Sequence, residues 1–143
     1  MHSKRVHGYT SRDTEVKGSS IHGLGVFAKK NIRKGKVVVA WGGHIITKKE
    51  IIKLPKEIST NYALPIYPGF YIAEISHNEV GDAERVNHSC RPNCVVKNNL
   101  IMLTSRVILK GEELTCDFDH GSGVGLRTLC KCGSKNCKKF VYF

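Results

Sequence analysis

Three cysteines fall close together near the end of the chain, as Cys130-Lys131-Cys132-x4-Cys137. Cysteines one residue apart are too constrained for an easy mutual disulfide, whereas thiolates at this spacing can wrap one tetrahedral zinc ion. Lys131 and Lys135 would offset part of the negative charge of such a cluster. The tail supplies three ligands. Cys90, His88, Cys94, Cys116 and His120 all compete for the fourth place, and spacing does not choose among them. A zinc–thiolate site rather than a disulfide framework implies a reducing, intracellular setting.

Three further segments carry polar function. Asn87-His88-Ser89-Cys90-Arg91-Pro92-Asn93-Cys94 is the densest. A buried Asn there offers paired donor and acceptor groups, suited to a nucleobase edge or an amino-carboxylate. Gly23-Leu24-Gly25 would let backbone groups approach a ligand closely, although it lacks the third glycine and the following helix of a dinucleotide site. Glu112-Glu113-Leu114-Thr115-Cys116-Asp117-Phe118 combines acids with a strand that ends on an aromatic ring. Taken singly, each of the three also reads as an ordinary turn, loop or amphipathic strand.

The elements that must position these segments are short. Val26–Ile32 and Val37–Trp41 read as strands joined by a turn at Arg33-Lys34-Gly35-Lys36. Thr47 and Glu50 have capping-box spacing, Ile51, Ile52 and Leu54 give a short apolar face, and Pro55 stops that helix. Tyr62–Ile66 and Phe70–Glu74 flank Pro68-Gly69, and Cys94–Lys97 with Leu100–Ser105 form a hairpin about Asn98-Asn99. Leu114, Cys116 and Phe118 alternate with Thr115 and Asp117 as a half-buried strand should. Ile32-x-Lys-Gly and Ile108-Leu-Lys-Gly repeat one pattern, an apolar residue followed by a Lys-Gly turn. The fold expected is mainly β, with residues 1–13 a flexible segment and Gly121-Ser-Gly-Val-Gly125 a hinge to the cysteine tail.

Length and charge bound the rest. A chain of 143 residues has room for one domain with a real core. No run of eighteen apolar residues spans a membrane, and Met1–Glu15 lacks the apolar stretch of a secretory signal. The net charge of +11 is unevenly spread. Residues 1–60 carry 13 Lys/Arg against 4 Asp/Glu, residues 61–120 carry 5 against 8, and residues 121–143 carry 5 against none. Basic ends suit an anionic partner, and the acidic middle could attract a cationic one.

Taken together and in order, Gly23-Leu24-Gly25, Trp41-Gly42-Gly43, Asn87-His88-Ser89-Cys90-x-Pro-Asn, Glu113-Leu114-Thr115-x-Asp117-Phe118 and the cysteine tail resemble the SET-domain protein-lysine methyltransferases with a post-SET zinc tail. With no pre-SET cysteine cluster, the chain resembles the small stand-alone form. The resemblance implies several small sheets with a C-terminal pseudoknot, a SET domain over 14–125 and a zinc-binding tail over 126–143. It implies S-adenosylmethionine as cofactor, held by Gly23, Leu24, Gly25, Tyr62, Asn87 and His88, with Phe140 packed over it. It places Cys90 beside Cys130, Cys132 and Cys137 around zinc.

The implied reaction is in-line methyl transfer to the ε-amine of lysine in a basic protein, histones among the candidates. Tyr62, Trp41 and Phe118 would line the lysine channel. The family usually has Tyr at the Phe118 position and commonly at the Trp41 position, so Phe118 keeps the wall but lacks the hydroxyl. Glu84-Arg85 likewise stands where the family often has an Arg-aromatic pair. Two other readings accompany the enzyme. One is a catalytically weak SET-like module that binds cofactor or lysine-rich tails. The other is a basic, zinc-stabilised nucleic-acid-binding domain, and non-specific nucleic-acid contact could also help place an enzyme at chromatin. An intracellular location, cytoplasmic or on chromatin and away from membranes, fits all of these, while secretion as an effector stays open.

Overall fold

A computed structural model describes residues 4–61, 63–118 and 127–142. Along the chain run β1 (Tyr9–Thr10), β2 (Thr14–Gly18), β3 (Leu24–Ala28), β4 (Val37–Ala40), β5 (His44–Thr47), α1 (Lys48–Ile51) and α2 (Lys56–Asn61). They are followed by β6 (Ala63–Tyr67), β7 (Phe70–Ala73), β8 (Asn87–His88), β9 (Cys94–Lys97), β10 (Ile101–Thr104), β11 (Glu113–Cys116), β12 (Arg127–Leu129) and β13 (Phe140–Tyr142). Among the described residues these strands form four small sheets, ordered β1-β4-β10-β9, β2-β3-β11-β8, β5-β7-β6 and β12-β13. The mainly β architecture is the one expected.

Local chemistry explains much of the layout. Asn98 and Asn99 both take left-handed backbone angles, φ 52° and 57°, which a two-residue hairpin loop needs and which Asn tolerates. That loop sets β9 against β10, with Met102 facing Val96. Thr47 caps α1 and Glu50 returns the bond, completing the capping box. Pro55 does end that helix, but its carbonyl then accepts from Ile58 and Ser59 to begin α2, a helix the sequence reading omits. Pro65 lies in β6, the edge strand of its sheet, where a missing N–H costs least.

One core holds the first two sheets together. Val26, Val38, Val39, Met102, Ile108, Leu114 and Cys116 are all almost fully buried within it. A smaller cluster of Ile46, Ile51, Ala63, Tyr71 and Ala73 seats α1 against β5 and β7. The strand expected over Val26–Ile32 ends at Ala28, and Ile32 instead makes an isolated bridge to Ile108. Likewise β11 ends at Cys116, so Phe118 lies beyond the ladder, next to the cleft.

Residues 5–10, expected to be free, are bound to the body. Val6 and Gly43 exchange two backbone bonds of 2.9 and 2.7 Å, and Tyr9 pairs with Ala40. A side chain on Gly42 would collide with the Val6 carbonyl, so the glycine is what admits the arm. The anchor is Arg5, whose Nη2 and Nε lie 2.6 and 2.8 Å from the Glu74 carboxylate, with a further bond of 2.8 Å to the Glu79 carbonyl. Glu79 in turn accepts from the Ile75 N–H and meets His44 Nε2 at 2.9 Å. Glu74 is only 1% exposed, so removing Arg5 strands a buried carboxylate. Arg5→Ala is expected to cost about 3 kcal/mol in urea unfolding, and Glu74→Gln in the same chain should recover part of it.

Candidate active site

Asn87 organises the cleft. β8 lies parallel to β11, which sets Asn87 beside Thr115 and His88 beside Cys116. From there the Asn87 amide nitrogen reaches the carbonyls of His22 and Leu24, at 3.1 and 2.9 Å, and Glu113 Oε1 at 2.8 Å. The same Glu113 carboxylate accepts from Ser19 Oγ at 2.9 Å. The Gly23 loop is thus tied down from both sides. Gly23 takes φ 45° with open space where a side chain would project, whereas a side chain on Gly25 would strike the Glu113 carboxylate. Two glycines therefore serve two needs: one the turn and access to the cleft, the other the clamp beneath it.

Asn93 holds the framework behind the cleft. Its Nδ2 donates to the Glu113 carbonyl at 2.8 Å, and its Oδ1 accepts from the Thr115 N–H at 2.9 Å. His88 joins the two halves of the site. Its Nδ1 accepts from the Phe118 N–H at 3.0 Å, which leaves an Nε2–H directed at Cys90 Sγ, 3.3 Å away.

The cleft has a volume of about 190 Å³ and runs between the Gly23 loop, the 84–88 segment and the cysteine tail. Ile21, Val86, Phe118, Leu129 and Val141 give it apolar walls, with Glu84, Arg85 and Lys131 at its polar margins. Burial raises the Glu84 carboxyl above its usual range despite a bond from the Gly81 N–H. Gly23, Leu24, Asn87, His88 and Phe118 therefore come together as the sequence reading anticipates. Tyr62 lies outside the described residues, as do the 121–125 hinge and the boundary at 125 and 126. Phe140 does not line the cleft: its ring lies 4.3 Å under the Arg127 guanidinium, and Val141, on the other side of the strand, supplies the wall.

Phe118 meets Trp41 edge to face, with ring centroids 5.6 Å apart and an interplanar angle of 66°. Trp41 donates its indole N–H to the Ala83 carbonyl at 2.9 Å. Its polar atom is thus already committed, and the pair presents an aromatic wall without a hydroxyl. Glu113, Ser19, Ile21 and Val141 are contributors that the sequence reading missed. Glu113 stood inside a motif singled out for its acids, but its partner Ser19 is 94 residues away and carries no local signal.

The cysteines sort themselves by environment. The Sγ atoms of Cys90, Cys130, Cys132 and Cys137 all lie within 4.8 Å of one another, with Cys90 and Cys130 at 3.8 Å. Four sulfurs about 2.3 Å from a tetrahedral zinc ion would stand about 3.8 Å apart, so the set fits that metal. Backbone N–H groups of Lys138 and Lys139 point at Cys90 and Cys137 Sγ, each at 3.4 Å, as expected around thiolates. Burial opposes ionisation of Cys132, but the Ser134 hydroxyl and nearby donors outweigh it and bring the thiol to about 6. Burial raises Cys90 and Cys130 in the cluster, and it also pushes Cys94 up to about 12 and Cys116 well above its ordinary value, so it is position and not titration that separates the two sets. Cys94 and Cys116 are core thiols; His120 lies outside the described residues, and among the described candidates for fourth ligand it is Cys90 that joins the tail.

A family model for the SET domain matches residues 23–119. The chain belongs to the SET-domain family. Histone-lysine N-methyltransferase 2D of Homo sapiens is 33% identical over 138 residues, covering 86% of this chain and 2% of that protein. A histone H3-lysine(4) N-trimethyltransferase of Arabidopsis thaliana is 33% identical over 137 residues, covering 86% of this chain and 12% of its own length. The H3 lysine-4 specific histone-lysine N-methyltransferase of Schizosaccharomyces pombe is 30% identical over 137 residues, covering 86% and 14%. This SET chain thus spans only a small part of each of these relatives. Among its described residues no helix is long and apolar enough to cross a membrane.

The cysteine geometry sets a metal test. One zinc ion per chain is expected by atomic emission. Cys132→Ser should abolish its retention, and Cys94→Ser should leave it intact. Zinc affinity should fall as pH drops from about 8 to about 5, because protons compete for thiolates.

Proposed function

We propose that this chain transfers a methyl group from S-adenosylmethionine to the ε-amine of lysine in a basic protein, a histone foremost. The observation that carries the reading is the clamped Gly23 loop, held by Asn87 and Glu113, directly beside the Phe118–Trp41 wall. The names of the relatives support histone as the substrate class. The cleft chemistry suits the cofactor: apolar walls that would take an adenosyl group, an open Gly23 backbone, and Arg85, Lys131 and Glu84 as charged groups that could meet its amino and carboxylate groups. Zinc at the four-cysteine cluster would fasten the tail, and with it Leu129 and Val141, over the cleft.

When bound, the cofactor supplies an electrophilic methyl on a positively charged sulfur. The protein must present a neutral amine to it, although a free lysine titrates near about 10.4. An apolar aromatic surface at Phe118, backed by Trp41, would disfavour the ammonium of a lysine brought against it by desolvation. The same rings hold whatever cationic form is present through their faces. With both hydroxyl positions empty of a donor, orientation comes from the shape of the wall. The Phe118 backbone is fixed by its bond to His88, and the Trp41 ring by its bond to Ala83, so the two rings are preorganised.

A second reading rests on that same wall. Without a hydroxyl to align amine and methyl, the site could bind cofactor or lysine tails and turn over slowly. Cofactor affinity by calorimetry and methyl transfer from labelled cofactor to histone H3, resolved by mass spectrometry, separate the two. Wild type is expected to label lysine, and Asn87→Ala to lose most cofactor affinity with its loop clamp gone. Phe118→Tyr should raise kcat by about 10- to 100-fold with little change in cofactor affinity, since it restores one donor near the reacting atoms. Cofactor binding without transfer by wild type, cured by Phe118→Tyr, would establish the binding module. Absence of both binding and transfer in wild type would overturn the proposal.

A further inference from the structure

The two Lys-Gly turns repeated in the sequence take no part in the cleft, yet they form one body. Ile32 and Ile108 are 1% and 0% exposed and exchange two backbone bonds of 2.8 Å. Asn31 Oδ1 accepts from the Lys110 N–H, and the Ala28 carbonyl accepts from the Gly111 N–H, each at 2.8 Å. Gly35 and Gly111 both take positive φ, 81° and 90°, and close the two turns in the same way. The turns thus lie back to back on a rigid, hydrogen-bonded base.

This base sits at the far end of the sheet from the cleft. β3 leaves the Gly23 loop at Leu24 and reaches the turns at Ala28, and β11 returns from Glu113 toward Phe118. Four strand steps of about 3.3 Å separate the two ends by about 13 Å before the turns begin.

The charge there is almost all of one sign. Asp13 is taken up by Lys30 and Lys36, at 3.2 and 2.9 Å, and Glu112 by Arg106 at 2.9 Å. Lys29, Arg33, Lys34 and Lys110 are exposed, and no ion pair among the described residues engages them. Residues 29–36 and 105–112 contain no aromatic side chain.

We propose that these paired turns are a docking surface for the phosphate backbone of duplex DNA. Duplex DNA carries one negative charge per about 1.7 Å, a dense line that complements a fixed cluster of unpaired cations. Long Lys and Arg side chains on a rigid base suit phosphate oxygens, which give position rather than sequence. Single strands are the poorer fit, because their binding leans on aromatic stacking platforms that this surface lacks. The surface and the cleft occupy opposite ends of one sheet, so DNA held at the turns leaves the cleft open.

The test uses the full, zinc-loaded chain without cofactor and fluorescence anisotropy on labelled 20-base-pair duplexes of two unrelated sequences. Both should bind alike. About four phosphate contacts predict a loss of about a hundredfold in affinity between 50 and 200 mM salt. Arg33→Glu/Lys34→Glu/Lys110→Glu should weaken binding at least tenfold. A triple of equal charge change on α1 and just beyond it, Lys48→Glu/Lys49→Glu/Lys53→Glu, should weaken it far less. Thermal melts check that both triples fold, and if the first does not, Lys110→Glu alone takes its place, with a loss of about threefold or more expected. Equal losses in the two triples would reduce the effect to net charge and overturn the site. So would absence of duplex binding at 50 mM salt, tighter binding of single strands, or displacement by polyglutamate as effective as by unlabelled duplex. Methylation of a free peptide is read separately, so the failure of either activity is distinguishable from the other.

Discussion

The clamp on the Gly23 loop depends on β11, and where β11 runs past its partner strand it is held by the side chain of one buried residue. Asn93 gives a donor to the Glu113 carbonyl and an acceptor to the Thr115 N–H, replacing on one side the partner strand that the ladder lacks there. With the backbone fixed, Glu113 reaches Asn87 and Ser19 and fastens the Gly23 loop. Two residues on, Thr115 and Cys116 align β8, and Phe118 follows at the wall. A buried amide with both ends satisfied is worth more than its bond count suggests, because losing it would leave two backbone groups unpaired in the core.

His88 couples the cysteine cluster to the aromatic wall. Its ring spans from the Phe118 amide to the Cys90 sulfur, so the position of the tail and that of Phe118 are set by one rigid group. Thiolates that could hold a metal are commonly oriented by such donors, and here the donor also bonds the backbone of Phe118 in the cleft wall. A cleft built in this way is assembled by chain segments that are remote in sequence, which is why no single motif defines it.

What the sequence made legible was local. The Asn98-Asn99 hairpin, the Thr47–Glu50 capping box and the alternation of Leu114 with Cys116 all follow from residues within a few positions of one another. The ordered motifs also singled out Gly23, Asn87, His88 and Phe118, which line one cleft, and the tail cysteines, which gather with Cys90 into one thiol cluster. Spacing alone could not choose Cys90 over Cys94 or Cys116, because burial, a property of the folded chain, separates a ligand from a core thiol. Phe140 and Val141 part for a related reason: adjacent residues on a strand face opposite ways, and β13 exists only through its pairing with β12. Pro55 was legible as a stop but not as a start, since a proline can end one helix and open the next. The arm at Arg5 carried no apolar period, and its partner Glu74 lies 69 residues on.

The arm is separated along the chain from its anchor by six strands, β2 to β7. Closing so long a loop before those strands exist would cost chain entropy with nothing to offset it. Docking of residues 5–10 therefore draws its stabilisation from Glu74 and Glu79 being already in place. The arm thus works as a strap: from the edge of its sheet it ties β4 and the Glu74–Glu79 segment together without being part of the core.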